Sequence, residues 1–337
     1  MSPFTIRRRA ALAVLLAATA VLPARAADMT KLKVVLGYIP DVEMYGAEYA
    51  LHQGLFKAEG LDVTLIPAGQ GVDQVQMVAS GAADIGIANA EPILAATEKG
   101  EKFKVFASLF QRSPVAMTCR KDSGVTKPTD LAGKTVGVKT LARPYFDLFM
   151  STNHVDPATV KTVSIGGSDI STLIAGRIAC EITTFAFNEP LEIQQAGVET
   201  VVMPLGDYGL NSQPDSYFVK AAYFDSAANR DVLTRYLRAE SKAWATFFAD
   251  PKAAAKYTVD GDFVDGLDMQ QQTFQAVQQA DYMRDKLTAE KGIMWINPGT
   301  WKETARNIAA AKVTDSVVDP TPLLTFDILE AAKPPKF

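Results

Sequence analysis

The residues best placed to do chemistry lie at positions 36–45, where an apolar run gives way to Tyr38, Asp41, Glu43 and Tyr45. Carboxylates can accept N–H donors and aromatic rings can stack on a flat ligand, which is the chemistry of recognition. Covalent chemistry has no comparable support. The chain contains no G-x-S-x-G elbow, no H-E-x-x-H helix and no Walker A loop. Its two histidines, His52 and His154, fall within or at the end of helical stretches and read as surface residues. With Cys119 and Cys180 as the only cysteines, no zinc cluster can be assembled from soft ligands. The expectation is a protein that binds rather than reacts, with no catalytic residue, no metal and no cofactor.

Stepping outward from these residues, β-rich and helical stretches alternate, as in an α/β protein with mostly parallel sheets. Strands are expected at residues 32–36, 62–66, 84–88 and 104–110, with helices at 45–59, 72–80 and 92–99 between them. The order then repeats, with strands at 134–138, 161–165, 180–185 and 199–203 and helices at 145–153 and 170–175. The unit beginning at Val63 and ending at Asn89 is echoed by one running from Thr162 to Thr184. In each, a glycine (Gly81, Gly176) follows the helix, where left-handed geometry is cheap. Two similar lobes are the economical reading: lobe one from residues 27–113 and 221–337, lobe two from 114–220. A helix-rich tail (232–248, 269–282, 301–311 and 322–332) would return to cover the first lobe. Two crossings, near Ser113-Pro114 and somewhere in 206–221, would form a hinge. In open α/β sheets ligands bind beyond the carboxyl ends of the strands, which is where Tyr38 to Tyr45 stand.

The first 26 residues suggest where the protein works. Arg7, Arg8 and Arg9 precede an apolar run at 10–22, too short for a stable membrane span, and Ala24-Arg25-Ala26 offers a small-x-small cleavage pattern. A secretory signal over residues 1–26 and a periplasmic mature protein are expected. Beyond residue 26 the chain carries 30 basic and 38 acidic residues, a net charge of −8. That balance, without a basic patch, argues against nucleic-acid binding. An oxidising compartment permits a Cys119–Cys180 disulfide, but its formation depends on geometry.

The stretch Gly54-Leu-Phe-Lys-Ala-Glu-Gly-Leu-Asp-Val resembles the G-x-F-x-x-E-G-L-D-V signature of substrate-binding proteins of ABC importers. The group includes binders of thiamine pyrimidine precursors, aliphatic sulfonates and taurine. Further similar pieces follow in order: residues 77–84, 111–114, 130–137, and Phe187-Asn188-Glu189. The resemblance implies a type II periplasmic binding protein: two α/β lobes of mostly parallel sheet flanked by helices, joined by a hinge. It also implies a monomer that hands a small molecule to an inner-membrane ABC permease and its ATPase.

Matching positions supply the implied pocket. Tyr38 stands at the aromatic that ends the first strand, and Asp41 where precursor binders tend to have asparagine. Glu43 replaces part of a polar-histidine pattern. Asn89 ends the third strand, Gln111 and Arg112 precede the first crossing, and Thr140 and Arg143 begin the helix after Val138. Phe187, Asn188 and Glu189 match a Tyr-Asn-Glu-like arrangement. Aromatic walls at Tyr38, Tyr45 and Phe187 beside Asn188 and Glu189 suit a planar nitrogen heterocycle of pyrimidine or vitamin-precursor type. Arg112 and Arg143 keep open a sulfonate or carboxylate ligand. A sensory binding protein reporting to a receptor is a further alternative.

Overall fold

The computed structural model describes residues 29–69, 71–139, 142–166, 170–261 and 263–337. The expected export signal at 1–26 and the site candidate Thr140 lie outside the described residues. Among the described residues, ten strands form two sheets of five. The strands of the first are β1 (Thr30–Val35), β2 (Leu61–Ile66), β3 (Ile85–Ala88) and β4 (Phe103–Ser108), all before the first crossing. Those of the second are β5 (Val115–Arg120), β6 (Thr135–Lys139), β7 (Lys161–Ile165), β8 (Cys180–Phe185) and β9 (Thr200–Pro204). The last strand, β10 (Ser216–Lys220), returns to the first sheet.

The strand orders, β2-β1-β3-β10-β4 and β7-β6-β8-β5-β9, are the same pattern used twice. In each sheet the fourth position is filled by the strand that has just crossed from the other lobe, and it runs antiparallel to both neighbours. The remaining pairs are parallel. This corrects the expected boundary, because residues 216–220 pair with β3 and β4 and belong to lobe one. The return crossing therefore ends by Asp215.

Local sequence explains most of the elements. β3, buried at all four positions, needs the apolar run Ile-Gly-Ile-Ala because both of its faces are covered. The expected single helix at 45–59 is two, Tyr45–His52 and Leu55–Ala58, since Gly54 takes φ 69° between them. The tail helices pack as expected. Trp244, Phe247, Trp301 and Ile308 join the core built on β1, β3, β4 and β10, and a smaller core fills lobe two. An additional helix, Pro251–Asp260, begins at an Asp250 cap that also ends the preceding Ala227–Ala249 helix.

Antiparallel pairing sets Cys119 directly opposite Cys180, and the two form a disulfide between β5 and β8. The crossings are tied by side-chain amides. Gln213 Nε2 donates to Gln111 Oε1 at 3.0 Å, Gln111 Nε2 donates to the Trp295 carbonyl at 2.9 Å, and Asn297 N–H donates to Gln213 Oε1 at 2.7 Å. Ser113 N–H donates to Asn211 Oδ1 at 3.0 Å, joining one crossing to the other.

Candidate ligand-binding site

The carboxyl ends of β3 and β8 and the two crossings meet between the lobes. A cavity of about 260 Å3 lies there. Asn89, Glu91 and Thr304 line it from lobe one, Ser113 and Ser212 from the crossings, and Tyr145, Thr183 and Phe185 from lobe two. Leu148, Leu205, Leu210 and Ile308 make the rest of its wall largely apolar. An apolar enclosure with few polar groups is the usual form of a small-molecule site.

Two strained or crowded backbone positions shape this region. Thr183 has φ 65°, unusual for a β-branched residue, at an irregularity in the β5–β8 register. The Lys139 ammonium donates to its carbonyl at 3.0 Å. Across the cleft Asp215 has φ 51°, and its carbonyl accepts from Leu109 N–H at 2.9 Å. A Cβ on Gly37 would stand 2.4 Å from Asp215 Oδ1, so glycine is what admits that carboxylate.

The predicted residues at the end of β1 separate into three environments. Tyr38 is exposed, and desolvation together with the charges of Asp41, Glu43 and Glu189 raises its phenol pKa. Asp41 is buried, caps the short turn Val42–Met44 by accepting from Glu43 N–H at 2.8 Å, and also accepts from Gln275. Burial outweighs those bonds and lifts its pKa to about 6. Glu43 is pushed well up, by burial first and then by the charges of Asp215 and Asp41. Asp215 itself is raised to about 7, chiefly by burial. Tyr45 is placed elsewhere: it stacks on Tyr49 at 5.0 Å, packs against Trp244, Phe247 and Tyr257, and bonds Thr246 at 2.8 Å. Its helix turns it into the lobe-one core, away from the cleft.

The Phe187-Asn188-Glu189 group is also partly committed to protein contacts. Phe187 is fully buried among Phe110, Phe185 and Tyr282, so a lobe-two ring completes the lobe-one core rather than lining a ligand. Asn188 Oδ1 accepts from Gln271 Nε2 at 2.9 Å, a tie between lobes. Glu189 Oε2 accepts from Phe185 N–H at 2.7 Å, and Oε1 lies 4.0 Å from Lys139. Burial nonetheless raises the Glu189 pKa.

Gln111 is consumed by the hinge amides described above. Arg112 lies over the Tyr282 ring at 4.8 Å, and the exposed Arg143 pairs with Asp147 at 2.9 Å. Neither arginine lines the cavity. Among the described candidates Asn89 alone does.

Sequence reasoning missed Glu91, Tyr145, Thr183 and Ser212. Glu91 could have been found two residues after Asn89, in the first turn of the Ala90–Glu98 helix that follows β3. Thr183 carries no such signal, because its positive φ comes from pairing with β5.

Comparison with known proteins agrees with this architecture. The Escherichia coli aliphatic sulphonate binding protein SsuA superposes with a TM-score of 0.66 at 14% identity, covering 87% of this chain and 97% of that one. The fold is that of the periplasmic binding proteins. Residues 42–254 match the model of the NMT1/THI5-like family, and the chain belongs to that family. The riboflavin-binding protein RibY of Chloroflexus aurantiacus is 25% identical over 316 residues, 90% of this chain and 88% of the relative. The formylaminopyrimidine-binding protein of Halalkalibacterium halodurans is 23% identical over 226 residues, covering 66% and 68% respectively.

Proposed function

We propose that this chain is the extracytoplasmic solute-binding component of an ABC importer, which closes its lobes on a small planar nitrogen heterocycle. The carrying observation is the interlobe cavity, built from both lobes and both crossings, with an apolar wall and the buried carboxylate oxygen Glu91 Oε2. Its size, near the lower end of the roughly 300–1,000 Å3 usual for ligand pockets, favours a single ring or one end of a larger ring system. The relatives named for pyrimidine and riboflavin binding support the same class. The two cations that would suit an anion, Arg112 and Arg143, stand outside the cavity. The loaded monomer would deliver its ligand in the periplasm to a membrane permease driven by an ATPase. No helix among the described residues is long and apolar enough to cross a membrane.

The test is a thermal-shift screen of residues 27–337 against pyrimidines, flavins, purines, polyamines, sulfonates and aromatic carboxylates. A ligand at a hundredfold excess over its Kd stabilises the folded state by about 2.7 kcal/mol, a shift of several degrees. A shift with pyrimidines or flavins is the expected result; a shift confined to sulfonates or carboxylates refutes the heterocycle. Tyr145→Ala, which removes an aromatic ring from the cavity wall, is expected to weaken the heterocycle at least about tenfold. Calorimetric titration of the folded variant checks this, and unchanged affinity removes Tyr145 from the site.

A further inference from the structure

We infer that Glu91, which lines the cavity with Ser212 of the return crossing, is a specificity-determining residue that selects ligands bringing an N–H donor into this space. The inference rests on the cleft being the heterocycle site and goes on to name the group that reads the ligand. Glu91 stands in the first turn of the Ala90–Glu98 helix, directly after the carboxyl end of β3. Its carboxylate oxygen Oε2 is buried without a hydrogen-bond partner, and Ser212 lines the same cavity. A buried carboxylate oxygen left unmatched is costly, so a ligand donor that reaches it gains free energy.

The surroundings say what would match it. Tyr145 feels the Glu91 charge from lobe two, yet its hydroxyl does not bond Oε2. Val115, Leu148, Phe185, Leu210 and Ile308 supply carbon surface around the same space. Burial raises the Glu91 pKa, as a low-dielectric setting requires. In such a setting an N–H donor gains a strong hydrogen bond, whereas a methyl group of similar size leaves Oε2 unpaired. Selection therefore turns on one ligand hydrogen-bond donor, and the apolar wall accepts any ring that carries it.

The experiment is calorimetric titration of the mature protein, Glu91→Gln and Glu91→Leu with two matched pairs of probes. One pair is 4-amino-5-hydroxymethyl-2-methylpyrimidine and its analogue with methyl in place of the amino group; the other is riboflavin and 3-methylriboflavin. Wild type is expected to prefer the donor-bearing member of at least one pair by about tenfold or more, on the scale of one charge-assisted hydrogen bond. Glu91→Leu should abolish that preference, and Glu91→Gln, which keeps an acceptor oxygen, should retain part of it. Equal loss of both members in the variants would mark Glu91 as structural and overturn the inference while leaving the heterocycle reading intact. A donor preference that survives Glu91→Leu overturns it in the same way. Failure of wild type to bind any of the four probes would overturn it together with that reading.

Discussion

Replacing Glu240 by glutamine should change how stability depends on pH. Glu240 lies in the Ala227–Ala249 helix, 1% exposed, and its Oε1 accepts from Tyr217 hydroxyl at 2.5 Å and Trp244 Nε1 at 3.3 Å. Those bonds favour the ionised form, but burial is the larger effect and lifts its pKa from 4.5 to about 7. Between those values the native state keeps a proton that the unfolded state has released. The stability contributed below pH 4.5 is therefore lost as pH rises through 7. At about 1.4 kcal/mol per pH unit, that interval is worth about 3 kcal/mol. Glutamine has nearly the same shape, keeps an acceptor for Tyr217 and carries no charge at any pH. Urea unfolding of the ligand-free protein, followed by tryptophan fluorescence and circular dichroism at pH 4.5 and pH 8, measures the effect. The Gln variant should gain about 3 kcal/mol relative to wild type on going from the lower pH to the higher. Part of that gain comes from relief of Asp215, whose pKa the Glu240 charge also raises. A difference that stays constant with pH to within about 0.5 kcal/mol, the usual size of a surface change, would refute burial of a titrating carboxyl there.

Other substitutions test the packing that shapes the cleft. Gly46→Ala would set a Cβ 2.0 Å from Trp244 Nε1, so overpacking should cost about 1–3 kcal/mol in a urea melt. Removing the Cys119–Cys180 bond with a double serine variant frees a 61-residue separation and should cost about 4 kcal/mol on the chain-entropy estimate, read the same way. Phe187→Ala should cost about 3–5 kcal/mol, as for other buried aromatics. Because that ring joins the lobes, small-angle scattering of the ligand-free variant should also show a larger radius of gyration. An unchanged radius would mean the Asn188–Gln271 tie is sufficient.

Much of the fold was legible because its signals are local. The strand Cys180–Phe185 and the helix Met269–Tyr282 coincide with their sequence-based expectations. Hydrophobic pattern and capping chemistry act within a few residues of one another, so they survive in a linear reading. β10 was missed because its five residues become a strand only by pairing with β3 and β4, more than a hundred positions earlier. The site was legible to a lesser degree. Tyr38, Asn89 and Glu189 reached the region between the lobes, while Tyr45, Gln111, Arg112 and Phe187 were drawn into the core, the hinge or the outer surface.

By itself the sequence determined the family, the repeated βαβ plan and the strand ends at which a ligand could meet the protein. Tertiary structure alone decided which side chains remain available to that ligand. An aromatic ring or a glutamine has the same identity whether it meets a solute or a neighbouring helix. Phe187 is taken by Phe110 and Tyr282, and Gln111 by Gln213 and Trp295, because distant segments close around them. Glu91 Oε2 stays unpartnered at the cavity wall, because no distant segment brings a donor to it.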